Sequence, residues 1–114
     1  MTAATANAAR KDISLEIVRD FEAPINLVFK VWSTPEHLLR WWGPRDFTPH
    51  SVKMDFRPGG AWRACIRSPE GQDYWMSGIF REVREPEKLV FTFAWDEDGE
   101  PGSDTLITVS FADI

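Results

Sequence analysis

From His50 to Phe111 the chain changes polarity at nearly every second residue, and this alternation limits the fold more than any other feature. His50, Val52, Met54 and Phe56 alternate with Ser51, Lys53, Asp55 and Arg57. Trp62, Ala64 and Ile66 alternate with Arg63, Cys65 and Arg67. Leu89, Phe91, Phe93 and Trp95 alternate with Val90, Thr92, Ala94 and Asp96, and Ile107, Val109 and Phe111 with Thr108 and Ser110. A period of two is the signature of a strand that buries one face. Residues 73–83 read as a longer strand, with Gly78 a bulge or bend. The runs are separated by Pro58-Gly59-Gly60, by Ser68 to Gly71, by Glu85-Pro86-Glu87 and by an acidic Gly/Pro loop over 97–104. Short turns of this kind join antiparallel neighbours.

The first part of the chain reads differently. Residues 12–22 alternate, with Ile13, Leu15, Ile17, Arg19 and Phe21 on one face, so they form another strand. Arg19 is the exception on that face; it pairs with a buried acid at the strand end or contacts a ligand. Ala23-Pro24 opens a helix in which Leu27, Val28, Val31 and Trp32 recur at helical spacing. Thr34-Pro35-Glu36 breaks it and starts a second helix, Thr34 as N-cap and Pro35 at its first position. That helix stops at Gly43-Pro44. Residues 1–11, all Ala, Thr and Asn up to Arg10-Lys11 after Met1, show no pattern and read as a flexible tail. The order is strand, two helices, then at least five strands. This is an α+β domain over residues 12–114 with an antiparallel sheet.

Composition narrows the function classes. A net charge of −5 and a pI near 5.0 argue against nucleic acid and anionic membranes as partners. The single cysteine, Cys65, forms no internal disulfide and reads as a buried thiol in a reducing compartment. The N-terminus lacks an apolar secretory core, and no run approaches a membrane span, so the expected location is cytoplasmic. Six Trp and eight Phe are unusual for 114 residues; they suit either a ring-rich core or a pocket walled by rings.

Catalytic motifs are missing. No phosphate-binding glycine loop, thiol pair or metal-binding histidine spacing occurs, so neither a metal nor a cofactor is expected. Asp96 to Glu100 resembles a calcium loop only in charge and reads as a solvated hairpin loop. His50 shares its parity with Val52, Met54 and Phe56. It either orients a ligand or moves protons on a ring-lined face, or it sits hydrated at the strand end.

Several pieces in order resemble one family: Arg19 to Pro24, Val28-Phe29, Trp32 to Pro44, Asp55 to Arg63 and Gly78 to Thr92. Together they are similar to the Hsp90 ATPase activator homologue-like family of the START-like, or SRPBCC, superfamily, over about residues 12–111. The resemblance implies a helix-grip fold, a curved antiparallel sheet with two short helices closing one end. It also implies a long C-terminal helix over a cavity for apolar ligands. This sequence stops just after a strand, so that helix is absent from it. The expectation is a truncated domain, or an apolar face covered by a second chain in a homodimer.

The residues expected to line a pocket are Trp32, Trp41 and Trp42 from the helices, then His50, Trp62, Phe91, Phe93, Trp95 and Phe111 from the strands. The leading expectation is a binder of a small apolar or aromatic molecule. Two others come from the resemblance: a chaperone cofactor that stimulates an Hsp90-type ATPase, and a cyclase- or dehydratase-like enzyme. For the last, His50, Arg19 and Asp55 are the first residues to test.

Overall fold

Seven strands form one antiparallel sheet in the order β2-β1-β7-β6-β5-β4-β3. The computed structural model describes residues 1–10, 13–42, 45–96 and 105–114. The strands are β1 (Thr2–Arg10), β2 (Ile13–Phe21), β3 (Thr48–Met54), β4 (Ala61–Arg67), β5 (Asp73–Arg84), β6 (Lys88–Trp95) and β7 (Thr105–Asp113). Two helices, α1 (Ile25–Ser33) and α2 (Pro35–Trp41), lie between β2 and β3. Within the described residues no helix follows β7, and none is long and apolar enough to cross a membrane.

The expected flexible tail is corrected. Thr2–Arg10 is a strand inside the sheet, paired with β2 on one side and β7 on the other. Its alanines and threonines give no periodic signal because both faces carry small side chains. The ladder on both flanks satisfies its backbone groups, which is a tertiary contribution that hydropathy does not register. Thr2 is fully buried and its hydroxyl donates to the Ala23 carbonyl at 2.7 Å, tying β1 to the entry of α1.

Directly opposed residues share a face of an antiparallel sheet, so the registers define the core. Leu15, Ala8, Ile107, Phe91 and Phe80 form one row across five strands. Val52, Ala64, Met76 and Trp95 form another on β3 to β6. This inner face carries the helices. Helix α1 buries Val28 and Phe29 against it, and α2 buries Leu38. Phe29 is wedged between Phe56 and Phe111, with ring centroids at 6.1 and 5.5 Å.

The helix joint follows the sequence closely. Pro35 is at the first position of α2 and Glu36 is in its first turn, where the helix dipole favours an acid. Two details differ. Pro24 caps α1 from outside rather than sitting in its first turn, and Thr34 makes no side-chain capping bond. The exit at Gly43-Pro44 and the acidic loop over 97–104 lie outside the described residues. The turn after β3 requires Gly59, whose φ of +83° is a left-handed conformation that L side chains rarely adopt.

Candidate functional site

The inner face of β3 to β6 and the two helices enclose an apolar groove. It is lined by Trp32, Leu38, Val52, Trp62, Phe80 and Phe91, with Trp42, Met54, Ala64 and Leu89 completing the wall. None of these side chains titrates. The space enclosed is about 30 Å³, much smaller than the roughly 300–1,000 Å³ of a pocket for a drug-sized ligand. The groove as it stands is a close-packed seam, and a ligand must part the helices from the sheet or rest on the open side.

Trp62 is the centre of the seam. It is buried on β4 opposite Gly78 of β5, and its Nε1 donates to the Thr92 carbonyl of β6 at 3.1 Å. A Cβ at Gly78 would run into that same carbonyl and approach Trp62 Nε1 to 2.5 Å. Gly78 therefore serves as the floor under the indole. The extra residue in β5 lies further along, where the register shifts between Phe80 and Glu82. The bend expected at Gly78 is a site of close approach, and the bulge is displaced from it by a few residues.

Other rings pack around this centre. Trp42 lies edge-on to Trp62 with centroids 6.0 Å apart, and its Nε1 is 3.1 Å from Met76 Sδ. Phe91 and Phe93 each lie 5.9 Å from Trp62. Trp95 stands 5.3 Å from Phe93 and is 37% exposed, outside the lining of the groove. At the other end Trp32 meets Phe111 at 6.4 Å. All but the tilted Trp62–Phe93 pair are edge-on, and such pairs add about 0.5–1.5 kcal/mol each beyond the area they bury.

Of the nine residues expected to line a pocket, Trp32, Trp42, Trp62 and Phe91 line the groove, and Phe93, Trp95 and Phe111 belong to the same connected ring cluster outside that lining. Trp41 belongs to α2, but its side chain lies outside the described residues. His50 is misplaced by parity. It sits in a β-bulge where the register shifts between Pro49 and Ser51, so the alternation slips by one residue. It is exposed on the outer face, with Nε2 3.3 Å from Arg67 Nη2. Phe29, Phe56, Phe80 and Met76 were absent from the sequence reading of the site. Phe56 and Phe80 pack at 5.2 Å, and only the crossing of the turn after β3 over β5 brings them together.

The three residues considered for catalysis do not converge. Arg19 is exposed on β2, so no buried acid is needed to balance it. Asp55 is exposed and accepts a 2.8 Å bond from Arg57. The outer face carries most of the charge. Arg63 stacks 4.3 Å above the Trp75 ring and pairs with Asp96, and Arg67 pairs with Asp73. A hollow of about 630 Å³ lies among Lys53, Asp55, Arg63, Ser77 and Ile79 on this side, open and of mixed polarity. Cys65 is fully buried, and burial raises its thiol above the ordinary range. No group of acids, histidines and cysteines able to hold a metal occurs among the described residues.

Fold and groove together define a sheet-and-helix domain of the START-like type with an apolar interior. The chain belongs to the family described as Activator of Hsp90 ATPase homolog 1-like protein, whose model matches residues 22–114. It is similar to solved structures of that kind. A protein of Chromobacterium violaceum aligns with a TM-score of 0.70 at 23% identity, covering 90% of this chain and 77% of that one. The AHSA1 protein of Silicibacter pomeroyi aligns with a TM-score of 0.61 at 27% identity, covering 84% and 76%. An AHSA1-like protein of Aeromonas hydrophila aligns at 0.60 and 20%, covering 96% and 74%. A search of curated proteins returned no match.

Proposed function

We propose that the groove between the helices and the inner sheet face binds a small apolar or aromatic molecule. The observation that supports this is the lining: ten side chains from four strands, the two helices and the residue that caps α2, none titratable, meeting at Trp62. Such a surface offers dispersion and ring contacts and no means of orienting a charged ligand. The small enclosed volume makes binding depend on the helices moving away from the sheet, which couples affinity to the packing of α2.

The test is a tryptophan-fluorescence titration with naphthalene, 1-naphthol and decanol as probes. Saturable quenching by at least one probe is expected. Val52→Phe, which fills the groove from β3, should abolish the response while leaving the circular dichroism spectrum intact. A flat response across all three probes, or unchanged quenching in Val52→Phe, rules the reading out.

A second reading is a cofactor that stimulates an Hsp90-type ATPase; the description of the family supports it. Its measurement is the ATPase rate of the cognate chaperone with and without this protein. An unchanged rate and no co-precipitation remove it.

A further inference from the structure

The two edges of the sheet are built differently. Strand β3 carries Pro49, the bulge at His50 and an exposed Lys53. These are devices that discourage another strand from adding to an edge. Strand β2 lacks proline, lysine and bulge, and Arg19 is the single charge on its inner face. It runs nine residues, none of them glycine, in unbroken register with β1. All of residues 14–21 are exposed. Leu15 is 58% exposed, Ile17 44% and Phe21 39% on the inner face, and Val18 51% on the outer one. Its second row of backbone N–H and C=O groups faces away from β1, so the edge is a template for an extended backbone.

We propose that β2 is the contact edge of a homodimer, in which a second copy adds its own β2 antiparallel about an axis through Ile17. The self-complementarity of the strand selects this occupant. A two-fold axis normal to the sheet must pass through a residue, because opposed side chains share a face. Centring on Ile17 pairs the whole strand. Ile17 then meets Ile17 of the other copy, Leu15 meets Arg19, Glu16 meets Val18 and Ser14 meets Asp20. Moving the axis one residue either way opposes like charges, Glu16 with Glu16 or Glu16 with Asp20. The charges thus disfavour both neighbouring registers and leave the centred one free of a directly opposed like pair. In the dimer the row of Leu15, Ala8, Ile107 and Phe91 continues into the other copy, and both helix-bearing faces lie on the same side.

Sedimentation velocity and disulfide trapping test this on the full chain. The expected species is twice the 13.1 kDa monomer, dissociating on dilution. Ile17→Lys should shift it to monomer, and because Ile17 is exposed the circular dichroism spectrum should not change. Opposed Cα atoms about 4.5–5.5 Å apart are within disulfide reach. Ile17→Cys should therefore form a self-linked dimer on mild oxidation. Ser14→Cys and Asp20→Cys should link when mixed and not alone. Leu27→Cys, exposed on α1, should not link, and the native Cys65 is buried out of reach. A monomer at every concentration overturns the proposal. So does a dimer that survives Ile17→Lys, or one that links as readily through Leu27→Cys as through Ile17→Cys.

Discussion

Trp62 occupies the space that the missing side chain of Gly78 leaves free, and from there its indole N–H reaches the Thr92 carbonyl on the next strand at 3.1 Å. One glycine thereby lets a tryptophan of β4 lie across β5 and bond to β6. Gly78→Ala would force the new methyl against the backbone of Thr92 and the indole. Overpacking of this kind costs about 1–3 kcal/mol. The midpoint of urea unfolding should fall at an unchanged m value, and tryptophan emission should shift to the red. A midpoint equal to that of the parent would mean that β5 and β6 separate easily at this point.

Phe29 should be the most costly truncation in the helices. It is 1% exposed and carries α1 onto the sheet through Phe56 and Phe111. Phe29→Ala removes the ring and leaves a cavity, a loss of about 3–5 kcal/mol. Thermal melting should show a large fall in Tm, whereas Leu27→Ala, at an exposed position of the same helix, should change it little. Equal effects of the two would show that α1 is not held by this face.

The hydrogen bond from Arg67 Nε to Asp73, 2.8 Å long, is the main reason that the Asp73 carboxyl is held below its usual range. The unfolded chain takes up this proton near pH ~3.9, the folded one only at lower pH. The contribution to stability is present above the ordinary carboxylate range and is lost as pH falls through the folded-state value. Asp73→Asn should flatten the acid limb of a plot of Tm against pH. Parallel acid limbs in the two proteins would show that solvent screens this exposed pair completely.

Cys65 should behave in the opposite sense. Burial raises its thiol, so the unfolded chain ionises first, near pH ~8.5. Stability is retained below that value and drains as pH rises through the folded-state one. In the native protein a disulfide reagent such as 5,5'-dithiobis(2-nitrobenzoate) should react slowly, at a rate that follows unfolding when urea is added. Fast stoichiometric reaction without denaturant would contradict the burial.

The sheet was legible because β4, β6 and β7 each keep one apolar face. Alternation alone puts Trp62, Phe91, Phe93, Trp95 and Phe111 on common faces, and the registers join those faces into one. The helix joint was legible from Thr34-Pro35-Glu36, where proline leaves few alternatives. His50 was misread for a definite reason. Parity counts residues, and a bulge adds one, so every inference across Pro49 to Ser51 reverses its face.

What the amino-acid sequence determined alone is the periodicity from Ile13 onward: the strands and helices that carry a repeating apolar face, and which rings share a side. Those properties are local, set by backbone geometry over a few residues. Tertiary structure decided the rest. It placed the patternless Thr2–Arg10 inside the sheet, because a strand with ladders on both flanks is held by backbone bonds whatever its side chains. It put Trp62 over Gly78, because only the pairing of β4 with β5 sets those two residues opposite each other. Among the described residues it also put β2 at the edge of the sheet, a place set by which strands pair rather than by local periodicity.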